Sequence, residues 1–111
     1  MMDARDRQAL IDILSVLDRA LGYPIENAET FREKDYLQDA VIRCLEILGE
    51  ATKRLSPELR LLHTDVPWRT MAGMRDVLIH AYDVVDLEEV WMAYQRFPEI
   101  RREIDAILNQ G

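Results

Sequence analysis

Apolar residues in the first part of the chain recur at the three- and four-residue spacing that places them on one face of a helix. The first such stripe runs from Leu10 to Leu21, and Gly22 and Pro24 follow it, where a helix is expected to end. A second, wider stripe leaves little polar surface and predicts a helix near the centre of the fold. It comprises Leu37, Val41, Ile42, Cys44, Leu45, Ile47, Leu48, Ala51 and Leu55.

Capping signals divide the following part of the chain into shorter elements. Thr30 and Glu33 have the spacing of a capping box, which predicts a turn of helix near Phe31. The Ser56-Pro57 pair fits an N-cap followed by proline at the first helical position. A short helix should therefore extend from there to about His63.

The remaining residues predict three further helices. Pro67 can open the first, and Asp86 with Glu89 gives a capping signal for the second, which should last until Phe97-Pro98 interrupts it. The apolar positions of the three helices are, in order, Trp68, Met71, Met74, Leu78 and Ala81; Leu87, Val90, Trp91 and Tyr94; and Ile100, Ile104, Ile107 and Leu108.

No segment shows the alternation of a strand, an internal repeat or a Gly/Ser linker. With 111 residues, the chain has the length of one domain with one core. We therefore predict an all-α fold, an antiparallel helical bundle that occupies residues 1–111 as a single domain.

Composition limits the classes of partner. The formal net charge is −7, from 14 Lys and Arg and 21 Asp and Glu, so any contact with nucleic acid must be local rather than a broad basic surface. Cys44 is the only cysteine, which excludes an intramolecular disulfide and favours the cytoplasm. The polar first residues and the lack of an apolar run of ~20 residues predict neither a signal peptide nor a membrane span.

The eight residues from Arg75 to Tyr82 hold the most reactive group of side chains. On a regular helix Arg75 shares a face with Tyr82, and Asp76 shares one with His80, but Arg75 and His80 are separated by roughly 140°. Either the helix end bends, or a second copy of the chain completes the site. We favour a composite cleft in a symmetric homodimer.

These side chains fit metal-independent cleavage of RNA. His80 would act as general base on the ribose hydroxyl or as general acid to the leaving oxygen, and Arg75 would stabilise the charge that develops on the phosphate. Asp76 could orient the imidazole or fix its tautomer. No cluster of His, Cys and carboxylate residues has metal-ligand spacing, and no cofactor is expected.

A simpler interpretation gives the same residues structural roles, and spacing alone favours it. Arg75 would then be a surface ion-pair residue, His80 a helix-terminal residue bonded to backbone, and Tyr82 a half-buried packing residue. Trp68 and Trp91 are expected in the core rather than as platforms on which bases stack.

Other chemically suggestive positions also have structural explanations. Glu50, Asp65 and Glu89 are single acids on helices, which are usually solvated or capping. Gly49 costs about 1 kcal/mol relative to alanine in the middle of a helix, so it predicts the close approach of another helix.

The sequence around the reactive segment resembles the HepT-like toxins of the HEPN superfamily. The Arg-x4-His-x-Tyr pattern from Arg75 to Tyr82 carries the resemblance, together with flanking segments in the family's order. These segments are DAVIRCLEILGEA at residues 39–51, VPW at residues 66–68 and VW at residues 90–91. The resemblance covers most of residues 9–109.

This resemblance implies an all-α homodimer with Arg75 and His80 in an intersubunit ribonuclease site, acting as the toxin of a toxin–antitoxin pair. It also implies a partner, a minimal nucleotidyltransferase similar to the MntA antitoxins, which silences the toxin by transferring AMP from ATP to Tyr82. An adenylate on Tyr82 would place negative charge beside Arg75 and bulk in the path of RNA.

Two residues depart from the family's pattern. Asp76 stands where the family often has Asn, and it could either compete with phosphate for Arg75 or raise the pKa of His80. Cys44 stands where Asn commonly follows the arginine of the second helix. The net charge and the acidic Asp76 and Asp83 keep an alternative open, a catalytically silent helical dimer that binds the nucleotidyltransferase or a nucleotide as a regulatory module.

Overall fold

The computed structural model describes residues 2–80 and 86–110, except for the side chains of Met74 and of residues 76–80. The described residues form seven α-helices: α1 (Ala4–Leu21), α2 (Ala28–Glu33), α3 (Asp35–Lys53), α4 (Pro57–Leu62), α5 (Trp68–His80), α6 (Leu87–Gln95) and α7 (Phe97–Gln110). No strand occurs among them, so the all-α prediction is confirmed. No helix in this part of the chain is long and apolar enough to cross a membrane.

Two of the predicted N-caps lie where the sequence places them. The Ser56 hydroxyl accepts a hydrogen bond from a backbone N–H in the first turn of α4 at 3.2 Å. The Asp86 carboxylate does the same for α6 at 2.9 Å. α1 begins at Ala4, earlier than the apolar stripe indicates, because Asp3 caps it by accepting from the N–H of Arg5. These caps satisfy backbone donors that have no partner within the helix.

The cap of α2 is not the predicted one. Asn27 occupies the N-cap, and its Oδ1 accepts hydrogen bonds from the backbone N–H and the hydroxyl of Thr30 at 2.9 and 3.1 Å. Thr30 therefore acts as a donor inside the first turn, and the predicted Thr30–Glu33 capping box is wrong. The predicted turn of helix around Phe31 is present.

α3 is the central helix, as its wide apolar stripe predicts. It packs mainly against α1 and α5, and its buried side chains include Leu37, Val41, Cys44, Leu45, Leu48 and Ala51. α1 and α3 are antiparallel, because Cys44 lies near Arg19 at the end of α1, whereas Arg54 after the end of α3 pairs with Asp12 at 2.8 Å. α7 also packs against α1.

The two tryptophans belong to the packed interior, as predicted. Trp68 is buried, and its indole N–H donates to the carbonyl of His63 at 2.8 Å. Trp91 is half-buried, with its ring centroid 5.3 Å from that of Phe31 and 5.7 Å from that of Tyr94. The aromatic contacts join α2 to α6, so these short helices are held to the bundle by ring packing.

Candidate active site

The reactive segment begins within α5 and continues beyond it. The backbone of Arg75, Asp76 and His80 belongs to this one helix. The side chains of Asp76 and His80 lie outside the described residues, as does the whole of Tyr82. A continuous helix separates positions 75 and 80 by roughly 140°. Since the side chain of His80 is not described, its cooperation with Arg75 stays a prediction.

Arg75 lies where α5 passes very close to α3. A Cβ placed on Gly49 would be 2.4 Å from the Cβ of Arg75 and 3.0 Å from the carbonyl oxygen of Met71. Real Cβ atoms essentially never come within 3.0 Å of such neighbours. Only glycine permits this approach, so the close helix contact predicted at Gly49 is confirmed, and it occurs at the candidate catalytic arginine.

Glu50 reaches Arg75 from the same crossing. Its Oε2 lies 3.9 Å from the Nε of Arg75, and the two side chains are 70% and 29% exposed respectively. The carboxylate is solvated, as the sequence indicates, but the sequence pattern does not predict its pairing with Arg75. The signal existed, since a helix that touches Gly49 must also pass near the next residue on α3.

The ion pair between Arg75 and Glu50 is weak and solvated. An ion pair of this length with an exposed acid is worth at most about 1 kcal/mol, so phosphate could replace the carboxylate at little cost. Arg75 does form an ion pair, as the simpler structural interpretation predicts, yet its backbone is confined between helices rather than on an open surface. Within the described part of the chain, no three His, Cys, Asp or Glu side chains are grouped so as to hold a metal ion.

Cys44, one of the departures from the family's pattern, lies at the contact between α1 and α3. Its buried Sγ is 3.9 Å from Nη2 of Arg19 and 3.7 Å from the hydroxyl of Tyr23. The contact with Cys44 and, next to it, burial raise the pKa of the Tyr23 phenol above its usual value. The cysteine therefore packs against α1, whereas Gly49 contacts α5, so the substitution acts on the bundle rather than on Arg75.

Comparison with known proteins identifies the relatives of this chain. Residues 10–107 match the family model described as "Ribonuclease HepT-like". A protein of Methanocaldococcus jannaschii with the name "Putative RNase" is 40% identical over 110 residues, which cover 96% of this chain and 95% of the relative.

Two further relatives come from other organisms. One from Caldanaerobacter subterraneus subsp. tengcongensis, also with the name "Putative RNase", is 38% identical over 96 residues, or 86% of this chain and 83% of the relative. A "Probable ribonuclease HepT" from Thermococcus cleftensis is 56% identical over 54 residues, which cover 49% of each chain. No solved structure matches this chain.

Proposed function

This chain belongs to the HepT-like ribonuclease family, and on that premise we propose that it is a metal-independent endoribonuclease, the toxin of a toxin–antitoxin pair in the cytoplasm. The observation that supports this most directly is the position of Arg75. The contact of its Cβ with Gly49 fixes the base of the side chain, and its Nε lies 3.9 Å from a carboxylate oxygen of the exposed Glu50, a weak ion pair that an RNA phosphate can replace.

The proposed reaction is an internal transfer of the phosphodiester. His80 takes the proton from the ribose 2′-hydroxyl, the 2′-oxygen attacks the adjacent phosphorus, and the bond from phosphorus to the 5′-oxygen breaks. An imidazolium gives a proton to the leaving 5′-oxygen, so the products are a 2′,3′-cyclic phosphate and a 5′-hydroxyl. DNA lacks the attacking hydroxyl and is not cleaved.

A symmetric homodimer would supply both histidines that this reaction uses. One copy of His80 acts as base and the other as acid, while Arg75 stabilises negative charge on the two non-bridging oxygens. The 140° separation of positions 75 and 80 on α5 supports this arrangement, because one helix cannot easily direct both at the same phosphate. An arginine with a fixed base loses little freedom when it binds, which favours stabilisation of the transition state.

The first test is cleavage of RNA in EDTA by the wild type and by His80→Ala. We expect the wild type to cleave RNA and leave DNA of the same sequence intact, with cyclic phosphate ends on the products. His80→Ala should lose roughly 10²–10⁴-fold in rate. His63→Ala is the matched control, since His63 is the other of the two histidines and is the C-cap of α4. Equal rates for the wild type and His80→Ala would remove the catalytic assignment.

Control of the toxin is proposed to act at Tyr82. A partner resembling the MntA nucleotidyltransferases would bind ATP. The Tyr82 oxygen would lose its proton and attack the α-phosphorus, and the bond from this phosphorus to pyrophosphate would break. On a regular helix Tyr82 shares a face with Arg75, so the adenylate would add negative charge beside the guanidinium and oppose the binding of an RNA phosphate.

Intact mass after co-expression with the partner tests this control. We expect one or more added adenylates on the wild type and none on Tyr82→Phe. Tyr36→Phe is a matched control, because Tyr36 is an exposed tyrosine on α3. Adenylates that persist on Tyr82→Phe would show that another residue is the acceptor.

A second function is favoured by the ion pair between Arg75 and Glu50. If Glu50 keeps the guanidinium occupied, the protein would be a catalytically silent dimer that binds the nucleotidyltransferase or a nucleotide. Expression without the partner separates the two functions. Growth arrest that Arg75→Ala abolishes supports the toxin, whereas normal growth with the wild type supports the silent dimer.

A further inference from the structure

A groove lies between α4 and the first half of α5, on a part of the surface that the proposed reaction does not use. Its volume is about 700 Å³, within the range of ligand sites. Its polar lining consists of Arg60, Thr64, Arg69 and Thr70, and Gly73 also borders it. We call this feature the α4–α5 groove.

The charge of the α4–α5 groove is opposite to that of the chain. It contains two guanidinium groups, and none of the described residues that line it has a carboxylate. The whole chain has a net charge of −7. Arginines in such a setting form bidentate hydrogen bonds with phosphate, and threonine hydroxyls can donate to phosphate or to a ribose hydroxyl. The groove is therefore the kind of local basic site that an acidic chain needs in order to hold nucleic acid.

The two arginines differ in exposure and in their contacts. Arg60 is half-buried, and its Nη2 donates to the carbonyl of Thr52 at 2.6 Å, which anchors the guanidinium to the end of α3. Arg69 is exposed, and no carboxylate among the described residues forms an ion pair with it. The anchored guanidinium of Arg60 and the exposed guanidinium of Arg69 can together hold a flexible strand.

Gly73 gives a second, independent observation. A Cβ added to it would meet no described atom within 4 Å, so none of the described residues requires a glycine there. Yet glycine in the middle of α5 costs about 1 kcal/mol of helix stability relative to alanine. A glycine that costs helix stability and that the described residues do not require is explained by an external molecule that comes close to the helix backbone.

The groove and the candidate catalytic histidine lie on one line along α5. Arg69 and His80 are 11 positions apart, so their Cα atoms differ by roughly 20° around the helix and by about 16 Å along it. Arg75 and Met71, in contrast, contact α3. A strand held at Arg69 would extend along the same face of α5 towards position 80.

We propose that the α4–α5 groove binds single-stranded RNA through its phosphates and directs the strand towards His80. This inference rests on the proposed function, and it adds a substrate-binding site several nucleotides away from the bond that is cut. The main alternative, a second copy of the chain, fits less well. A two-fold interface brings the same patch of both copies together, so the arginines would face each other.

Affinity for RNA, measured without cleavage, tests the groove. The parent protein is His80→Ala, and the probe is a fluorescein-labelled single-stranded RNA of mixed sequence, about 12 nucleotides long. Fluorescence anisotropy at several salt concentrations gives Kd and its salt dependence. Adding Arg69→Ala should weaken binding roughly five- to tenfold and reduce the salt slope by about 0.7. Adding Gly73→Leu should weaken it at least as much, by filling the groove.

Arg102→Ala is the matched control, because Arg102 is an exposed arginine on α7 outside the groove. It removes the same charge and should leave Kd within about twofold. Equal losses in Arg69→Ala and Arg102→Ala would overturn the groove, as would a parent protein that does not bind the RNA. Thermal unfolding of Gly73→Leu verifies its fold, and Arg69→Glu, which should bind more weakly than Arg69→Ala, provides a test that does not depend on Gly73.

Two further results separate this proposal from its alternatives. If Gly73→Leu changes the oligomeric state while Arg69→Ala binds RNA normally, the groove is an interface between copies and the proposal is wrong. In the cleavage assay with His80 intact, Arg69→Ala should raise KM and leave kcat nearly unchanged. If Arg69→Ala does not raise KM, the groove proposal is wrong but the catalytic role of His80 still stands. If His80→Ala cleaves at the wild-type rate, the catalytic role of His80 is wrong but the groove proposal still stands.

Discussion

At the scale of single residues, Arg75 combines a fixed backbone with a replaceable partner. The contact with Gly49 restricts the base of the side chain, while Glu50 offers an exposed carboxylate at 3.9 Å. A cation held in this way exchanges one anion for another without rebuilding the fold. The sequence identifies the arginine, but only the crossing of two helices shows that Glu50 competes for it.

Replacing Glu50 by glutamine should therefore help RNA to bind. Without the Glu50 carboxylate, RNA phosphate has one competitor fewer for the guanidinium, so KM for RNA should fall by about two- to fivefold, the effect expected of an exposed ion pair. Steady-state cleavage at low salt measures the change. Glu46→Gln, on the same helix and paired with Arg43 at 3.2 Å, is the control.

A different result would give Glu50 another role. If kcat of Glu50→Gln falls while KM is unchanged, the carboxylate positions Arg75 for catalysis instead of competing with substrate. Unchanged kinetics would show that the ion pair has no part in the reaction.

At the scale of elements, the contact between α3 and α5 depends on one glycine. Both helices present side chains elsewhere along their contact, but at Gly49 the Cβ of Arg75 and the carbonyl of Met71 occupy the space that a side chain would need. The close approach of the two helices at this position therefore requires glycine. The contact that packs α3 against α5 is therefore also the contact that positions Arg75.

Alanine at the two glycines of the site region should have opposite effects on stability. Gly49→Ala should lower the free energy of unfolding, because overpacking costs about 1–3 kcal/mol and exceeds the helix propensity that alanine adds. Gly73→Ala should raise it by about 0.5–1 kcal/mol, since its Cβ meets no described atom within 4 Å. Urea unfolding of both variants provides the comparison. A stable Gly49→Ala variant would show that the helices separate easily.

A helix cap is predicted correctly from the sequence where only one nearby residue is suited to be the cap. The proline after Ser56 and the spacing of Asp86 to Glu89 predict these two caps, and both residues cap their helices. The rule failed at Thr30, because Asn27 is an equally good cap three residues earlier and takes Thr30 as its donor. Which of two suitable residues caps a helix depends on where the chain enters, and that is a tertiary property.

At the scale of the whole molecule, polar contacts join helices that are distant in the sequence. Asp6 is buried, and its two carboxylate oxygens accept hydrogen bonds from the N–H and the hydroxyl of Ser56 at 2.8 and 2.6 Å. Asp12 pairs with Arg54, and Asp18 with Arg101 at 2.6 Å. Three acids of α1 therefore hold the end of α3, the start of α4 and α7 in place.

These contacts predict how stability changes with pH. The hydrogen bonds from Arg54 and then from Gln8 lower the pKa of Asp12 below its usual value. A carboxylate with a lowered pKa stabilises the fold above the pKa of the unfolded chain, about 3.9, and this stability is lost as the pH falls through the folded-state pKa. Asp12→Asn should thus be less stable than the wild type at pH 7 and approach it as the pH falls through the lowered pKa of Asp12.

Urea midpoints at a series of pH values measure this convergence. Asp39→Asn is the matched control, because Asp39 is exposed and no cation among the described residues forms an ion pair with it. A constant difference between the wild type and Asp12→Asn over the whole pH range would contradict the prediction.

The sequence by itself determined the helices, the central position of α3, the packing of the tryptophans and the positions of Arg75, Asp76 and His80 on α5. These follow from local periodicity and side-chain chemistry, which act over a few turns of helix. Only the tertiary structure decided that Gly49 admits Arg75, that Glu50 pairs with it, and that Arg60 and Arg69 share a groove. Those relations join residues 9 to 26 positions apart, and their distances depend on how helices pack, which no local pattern encodes.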